Sequence, residues 1–186
     1  MSAVDSSCSF PLSTPGFTPP LKTSCIDTPL GEMLAITDEK ALYLLEFSNW
    51  RGLDSTVQKL CTKTGRDLIS GDTPITNLVK GELAAYFEGN LHSFQTPLCP
   101  LGTPFQKEAW EALKKVPYGE TRSYRDQASA VGNPLAVRAV ARANATNPIA
   151  IIIPCHRIIN HNGQLGGYGG GLDRKQWLLD HEKNSL

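Results

Sequence analysis

Residues 149–159 read Ile149-Ala150-Ile151-Ile152-Ile153-Pro154-Cys155-His156-Arg157-Ile158-Ile159, an apolar run that delivers one cysteine beside two basic side chains. Three consecutive β-branched residues suit a short strand or extended segment covered on both faces. Pro154 lacks an N–H and ends any ladder there. The thiol of Cys155 is therefore expected at the rim of a rigid core, next to an imidazole and a guanidinium. A neighbouring cation favours thiolate over thiol, and the thiolate is the nucleophile. Against this stands the plain alternative that a cysteine after an apolar run is inert core.

Working outward, Leu98 to Gly102 marks a boundary. Thr103 is a good N-cap and Pro104 suits the first helical position. Phe105, Ala109, Trp110 and Leu113 then share one helical face up to Pro117. Ser123 caps a second helix carrying Tyr124, Ala128 and Val131, which stops at Gly132-Asn133. Pro134 opens a third, Leu135 to about Ala145, rich in alanine (Ala136, Ala139, Ala141) with Arg138 and Arg142. Helix, tight turn, helix reads as a helix-turn-helix. Small side chains let such a helix approach DNA closely but offer few base-reading hydrogen bonds, which suits recognition by shape and phosphate contact. Asn147-Pro148 closes the helix and leads into the cysteine stretch. After it, Asn160 to Gly171 is glycine-rich and reads as a wing and a pocket-lining loop. Leu172 to Lys183 forms a last helix, with Trp177, Leu178 and His181 toward the core and Glu182 near its end.

The preceding half is plainer. Residues 1–22, rich in Ser, Thr and Pro, are expected to form a disordered tail. Structure is expected from about Ser24. Glu32–Thr37 and Ala41–Phe47 suggest a hairpin, Asp54–Thr64 and Thr76–Phe87 two helices, and Phe94–Leu98 a final strand. Residues 23–98 thus read as a small α/β scaffold without chemistry of its own.

The 186-residue chain has formal net charge zero, but residues 1–100 carry −4 and residues 101–186 carry +4, a modest basic footprint. Five widely spaced cysteines, Cys8, Cys25, Cys61, Cys99 and Cys155, form no Cys-x-x-Cys pair, so no metal site is assigned and a reducing compartment is the simplest reading. No apolar run approaches the ~20 residues of a membrane span. No secretory signal is legible.

Ile153-Pro154-Cys155-His156-Arg157 resembles the active-site sequence of the O6-alkylguanine-DNA alkyltransferases. The resemblance runs through Gly102 to Gln106, Trp110, Pro117, Gly119-Glu120, Ser123-Tyr124, Gly132-Asn133-Pro134, Arg138-Ala139-Val140 and Asn147-Pro148. Beyond the cysteine it takes in Gly163, Gly166, Tyr168, Gly170-Gly171, Trp177-Leu178-Leu179 and His181-Glu182, about 85 residues in all. It is weak before residue 100. The resemblance implies a ribonuclease H-like N-terminal domain and a winged-helix-like domain over 102–186 for DNA binding and alkyl transfer. It implies single-turnover transfer from O6-alkylguanine, and O4-alkylthymine, in double-stranded DNA to Cys155 after base flipping from the minor groove. His156 would take the thiol proton through a water, with Glu182 orienting the imidazole. Tyr124 would crowd the phosphate and donate to the leaving base, and Arg138 would fill the gap in the duplex, with Ala136, Ala139 and Ala141 facing the groove. Asn147, Ala150, the Ile158 backbone, Tyr168 and the Gly169 N–H would line the substrate pocket. Arg157 would bond its own loop. No cofactor is implied, and a monomer is expected, cytoplasmic or nuclear in a eukaryote. A cysteine hydrolase and a binding-only winged-helix module are the rival readings. The first lacks a legible oxyanion motif, and an intact cysteine argues against the second.

Overall fold

Side-chain pattern alone underestimates where order begins. In the computed structural model, which describes residues 19–186, Leu21 and Lys22 already belong to a strand, β1 (Leu21–Ile26). The expected tail therefore ends at least two residues sooner, and its residues 1–18 lie outside the described residues. β1 was hidden because Lys22, Thr23 and Ser24 carry no apolar alternation; the strand is held by its backbone on both sides. It pairs antiparallel with β2 (Met33–Thr37) and parallel with β4 (Leu68–Ser70), and β2 pairs antiparallel with β3 (Leu42–Phe47). The sheet order is β3-β2-β1-β4. Helix α1 (Leu53–Thr64) precedes β4, and α2 (Pro74–Phe87) follows it. Thr73 caps α2 with a reciprocal bond to Thr76, a device worth about 1 kcal/mol. Residues 94–98 form no strand. Only Leu98 bridges to Leu42, since Pro97 can accept from Leu42 N but has no N–H to return.

The second half is helical. In order come α3 (Pro104–Lys114), β5 (Arg122–Ser123), α4 (Tyr124–Ala130), α5 (Val137–Asn144), β6 (Ile158–Ile159) and α6 (Leu172–Asn184). Thr103 and Ser123 cap α3 and α4 with the same reciprocal bonding. α5 starts two residues later than its composition suggests, because Asn133 accepts from Leu135 N and Ala136 N and holds a turn there, leaving Leu135 93% exposed. Buried Gln127 and Asn144 exchange amide bonds at 2.9 and 2.7 Å, and Gln127 also donates to Ala109 O. This pins α3, α4 and α5 to one another.

The cysteine stretch joins the halves. Leu45 N donates to Pro148 O, Ala150 N donates to Leu45 O, and Ile149 bridges β3 in parallel. One core unites Met33, Leu45, Phe47, Val79 and Tyr86 with Trp110, Ile149 to Ile153 and Leu178. The strand expected over 151–153 is absent: the backbone coils into tight turns, and Ile151 takes φ 69°. A β-branched residue pays about 1–3 kcal/mol for that conformation. Packing on every side of Ile151, 1% exposed, offsets it.

Candidate active site

Those turns set Cys155 at the start of a short 3-10 helix, Cys155–Arg157, instead of at the end of a strand. Asn147 fixes it. The Asn147 amide donates to Ile153 O at 2.8 Å and to Cys155 Sγ at 3.3 Å, while its carbonyl accepts from Ile149 N. One buried side chain thus ties the end of α5 to the thiol.

The basic neighbours do not serve the thiol as their adjacency suggested. In the 3-10 turn both are buried and directed to Glu182 of α6. His156 Nε2 donates to Glu182 Oε1 at 2.8 Å; Arg157 Nε donates to Oε2 at 2.8 Å and Nη2 to Oε1 at 3.0 Å. Arg157 Nη1 also donates to Val116 O, so it braces a distant loop and not its own. Tyr86 Oη and Gly119 N complete the carboxylate's shell. Burial works against ionising Glu182, but the bonds and charges of His156 and Arg157 outweigh it and hold the carboxyl well below its ordinary value. An ionised carboxylate only accepts, so the proton of His156 sits on Nε2. Nδ1 then carries a free lone pair; it is buried and has no hydrogen-bond partner among the described residues. Burial also lowers the histidine's pKa, keeping the ring neutral. The imidazole is thus a base in waiting.

The thiol itself is no resting thiolate. Burial pushes Cys155 up to about 11; Asn147 and Lys175 pull it down, and Glu46 pushes it further up. The sequence-based expectation of a lowered value fails because the thiol is buried, His156 is neutral and Arg157 is paired with Glu182.

Tyr124, the first residue of α4, lies against the backbone of Gly166, where a Cβ would stand 2.5 Å from its hydroxyl. Burial, and then Cys155, raise its phenol, so it remains a proton donor. Tyr168 stacks edge-on to His156 with centroids 6.5 Å apart. Ile158 is buried, and its carbonyl already accepts from the buried Lys175 Nζ at 2.6 Å. Ala150 is buried in the shared core. Gly169 is exposed, as are Arg138 and Ala139, whereas Ala136 and Ala141 are half-buried on the α5 side. Arg138, in the first turn of α5, has no ion pair among the described residues.

Three contributions from the first half were missed. Trp50 packs beside Gly169, Phe47 beside Gly170, and Glu46 acts on Cys155. Arg174 clamps them, donating to Leu30 O, Asn49 Oδ1 and Gly170 O with its guanidinium 4.0 Å over Phe47. The scaffold reading of residues 23–98 therefore understates that half. The available signal was a lone acid inside the apolar strand Leu-Tyr-Leu-Leu-Glu-Phe. Among the described residues no cluster of three or more His, Cys, Asp or Glu could hold a metal, and no helix is long and apolar enough to cross a membrane.

Comparison with known proteins gives a consistent picture. The family described as 6-O-methylguanine DNA methyltransferase, DNA binding domain, matches residues 104–184. The methylated-DNA–protein-cysteine methyltransferase of Methanosarcina barkeri is 44% identical over 161 residues, covering 87% of this chain and 96% of that protein. The constitutive one of Bacillus subtilis is 42% identical over 162 residues, covering 86% and 93%. Among solved structures, the crystal structure of Mycobacterium tuberculosis OGT in complex with DNA aligns with a TM-score of 0.76 at 39% identity, covering 89% of this chain and 94% of that one.

Proposed function

The chain belongs to the methylated-DNA–protein-cysteine methyltransferase family, and from that membership we propose that Cys155 is the residue on which its DNA-repair reaction ends. The protein repairs DNA by direct reversal, moving an alkyl group onto a cysteine of its own. The observation that carries the assignment is the bond from Asn147 to Cys155 Sγ, set beside His156 and Glu182. His156 Nδ1 takes the thiol proton, through a water. Sulfur attacks the alkyl carbon in line, the S–C bond forms, and the C–O6 bond breaks with its electron pair on the guanine. Tyr124 donates to that anion, and the base leaves as guanine. The Gly169 N–H meets O6, Tyr168 walls the pocket, and the Cys155 and Ile158 carbonyls accept from the guanine amine; Ile158 shares its oxygen with Lys175.

DNA engagement falls to α5. Its exposed face of Arg138 and Ala139, flanked by Ala136 and Ala141, enters the minor groove of alkylated double-stranded DNA, and Arg138 replaces the flipped base. The α4-turn-α5 unit with the loop at 160–171 supports a winged-helix-like reading. The order β3-β2-β1-β4, with β4 parallel, supports a ribonuclease H-like one. We keep 23–98 as the supporting domain and 102–186 as the transfer and DNA-binding domain, in a monomer that works in cytoplasm or nucleus. Arg138→Ala is expected to slow repair in duplex DNA far more than reaction with free alkylguanine, since extrusion and not substitution needs the arginine. Single-turnover rates on both substrates check this, and equal slowing would show the role is misassigned.

Ala150 offers less bulk at the alkyl group than the proline of some relatives, and its N–H is committed to Leu45 O. Rates for methyl, butyl and benzyl adducts are expected to fall only gently with size; a steep fall contradicts this. The whole reading is tested by intact mass. With excess O6-benzylguanine oligonucleotide, the gain should plateau at one alkyl group per chain, located on Cys155, and the product should melt lower because added atoms overpack the site by about 1–3 kcal/mol. Turnover beyond the plateau, or a gain elsewhere, refutes it.

A further inference from the structure

Tyr86 carries the only hydroxyl that reaches Glu182 among the described residues, and it belongs to the half of the chain that reads as scaffold. It lies in the last turn of α2, fully buried, and its Oη donates to Glu182 Oε1 at 2.8 Å. α6 holds this residue at both ends, since His181 Nε2 donates to the Tyr86 carbonyl at 2.7 Å. Phe94, Tyr118 and His181 pack against the ring, with centroids 5.4, 6.0 and 5.4 Å away. A phenylalanine would fill the same space without burying a hydroxyl, which is costly unless bonded. Burial, and then Glu182, raise the phenol far above its ordinary value, so it stays a donor. The five bonds that converge on the carboxylate among the described residues hold different things. His156 and Arg157 ride on the same 3-10 turn as Cys155, so their three bonds tie the carboxylate to that turn. Tyr86 and Gly119 come from elsewhere, one to each oxygen, with Gly119 N donating to Oε2 at 3.1 Å.

We propose that Tyr86 is a positioning residue for the alkyl transfer: its hydroxyl sets the direction and the basicity of the Glu182 oxygen that orients His156, so the first half takes part in the proton step. This role rests on Cys155 being the acceptor and His156 its base. Tyr86 touches no substrate and acts through Glu182. It shares Oε1 with His156 Nε2 and Arg157 Nη2 and occupies part of that oxygen's accepting capacity. When the thiol proton reaches Nδ1 through a water, Nε2 keeps its own proton, because an oxygen already holding three donors is a poor base. The groups that face this carboxylate are His156 and Arg157 of the 3-10 turn, Tyr86 of α2 and Tyr118 of the loop after α3. Lys175 of α6 acts on His156, His181 packs on Tyr86, and His92 stacks on Tyr118. Burial lowers the His156 value, and the bond and charge of Glu182 raise it. Without the Tyr86 donor the carboxylate's charge falls more fully on His156, the imidazolium is favoured, and the base is lost at a higher pH.

The test is the pH profile of single-turnover transfer from a methylated duplex, from about pH 5 to about pH 8.5, for the wild type and Tyr86→Phe. The wild-type rate should fall on the acid side as His156 takes up a proton. In Tyr86→Phe that fall should move up by about half to one pH unit, a loss of about 3–10-fold below the midpoint beyond any loss on the plateau. Tyr118→Phe deletes a hydroxyl from the adjoining ring that makes no bond to Glu182 among the described residues, and it should keep the wild-type midpoint. A uniform loss at every pH is the mark of a merely structural role and overturns the proposal, as does a midpoint that stays or moves down. If Tyr86→Phe does not fold, the wild type decides alone. The 13C signal of the Tyr86 ring carbon bearing the hydroxyl should shift in step with the 15N titration of His156, since both side chains bond Oε1; a signal indifferent to that titration counts against the proposal. If Cys155 were not the acceptor, the wild type would gain no alkyl group there from DNA. Failure of the Tyr86 proposal alone would leave that gain intact.

Discussion

Cys155→Ser will reduce alkyl transfer to less than about a hundredth of the wild-type rate, a loss exceeding ~3 kcal/mol in the barrier, while DNA binding persists. The reason lies in the environment of Cys155. Even a thiol is pushed up to about 11 at this position. A hydroxyl, far less acidic, would need a much stronger base than the neutral His156 to become a nucleophile. Asn147 can bond either atom, so the fold should survive. Intact mass after incubation with alkylated DNA measures the transfer, and salt-dependent duplex binding measured alongside shows whether the DNA surface is untouched. Residual transfer above that level would mean that Cys155 is not the sole acceptor.

Glu182→Ala will act on both stability and chemistry. It strips the buried partner from Arg157 and His156 and leaves Tyr86 Oη and Gly119 N without their acceptor. Removing one member of a buried ionic cluster costs about 3–5 kcal/mol, which for a chain of this size lowers the melting temperature by on the order of 10 °C. The same loss frees the His156 tautomer, and transfer should fall in protein that remains folded. Acid should mimic the variant. The folded carboxyl is held below its ordinary value of 4.5, so its contribution is complete above that pH and is lost as pH falls below it. Calorimetry across that range should show the wild type converging on Glu182→Ala; parallel curves would disprove the linkage.

How much of this could be read in advance depended on whether a residue's role is local. Thr103, Pro104 and Ser123 act within four residues of themselves, and the helices they start were legible. The pairing of Glu182 with His156 spans 26 positions and came only from the family resemblance. The surroundings of Cys155 were misjudged, because adjacency in sequence says nothing of direction: a 3-10 turn carried His156 and Arg157 toward Glu182. Ile151 to Ile153 read as strand because periodicity cannot distinguish a buried strand from a buried turn. Apolarity pointed to Trp177, Leu178 and His181 as the core face of α6, but the buried face is Lys175, Leu178 and Glu182, and Trp177 is 37% exposed; two charges are buried there because Ile158, His156 and Arg157 supply their partners. Nothing in β1 signalled a strand, since its order comes from neighbours on both sides.

The pairing of Leu45 with Ile149 bears on how this chain can change. It uses main-chain atoms, so side chains at either position can be exchanged without breaking it. A one-residue insertion in β3 or at 148–150 is another matter: it would turn every following side chain to the opposite face, and in β3 it would take Phe47 away from Gly170 and Arg174. These two segments should therefore accept apolar exchanges of similar volume, both being fully buried, and resist length variation. Cutting the chain near residue 100 would expose the edge of β3 on one fragment and the loose 148–150 segment on the other, and unpaired edges of that kind seek partners in other molecules. Fragments of this protein should aggregate before they function.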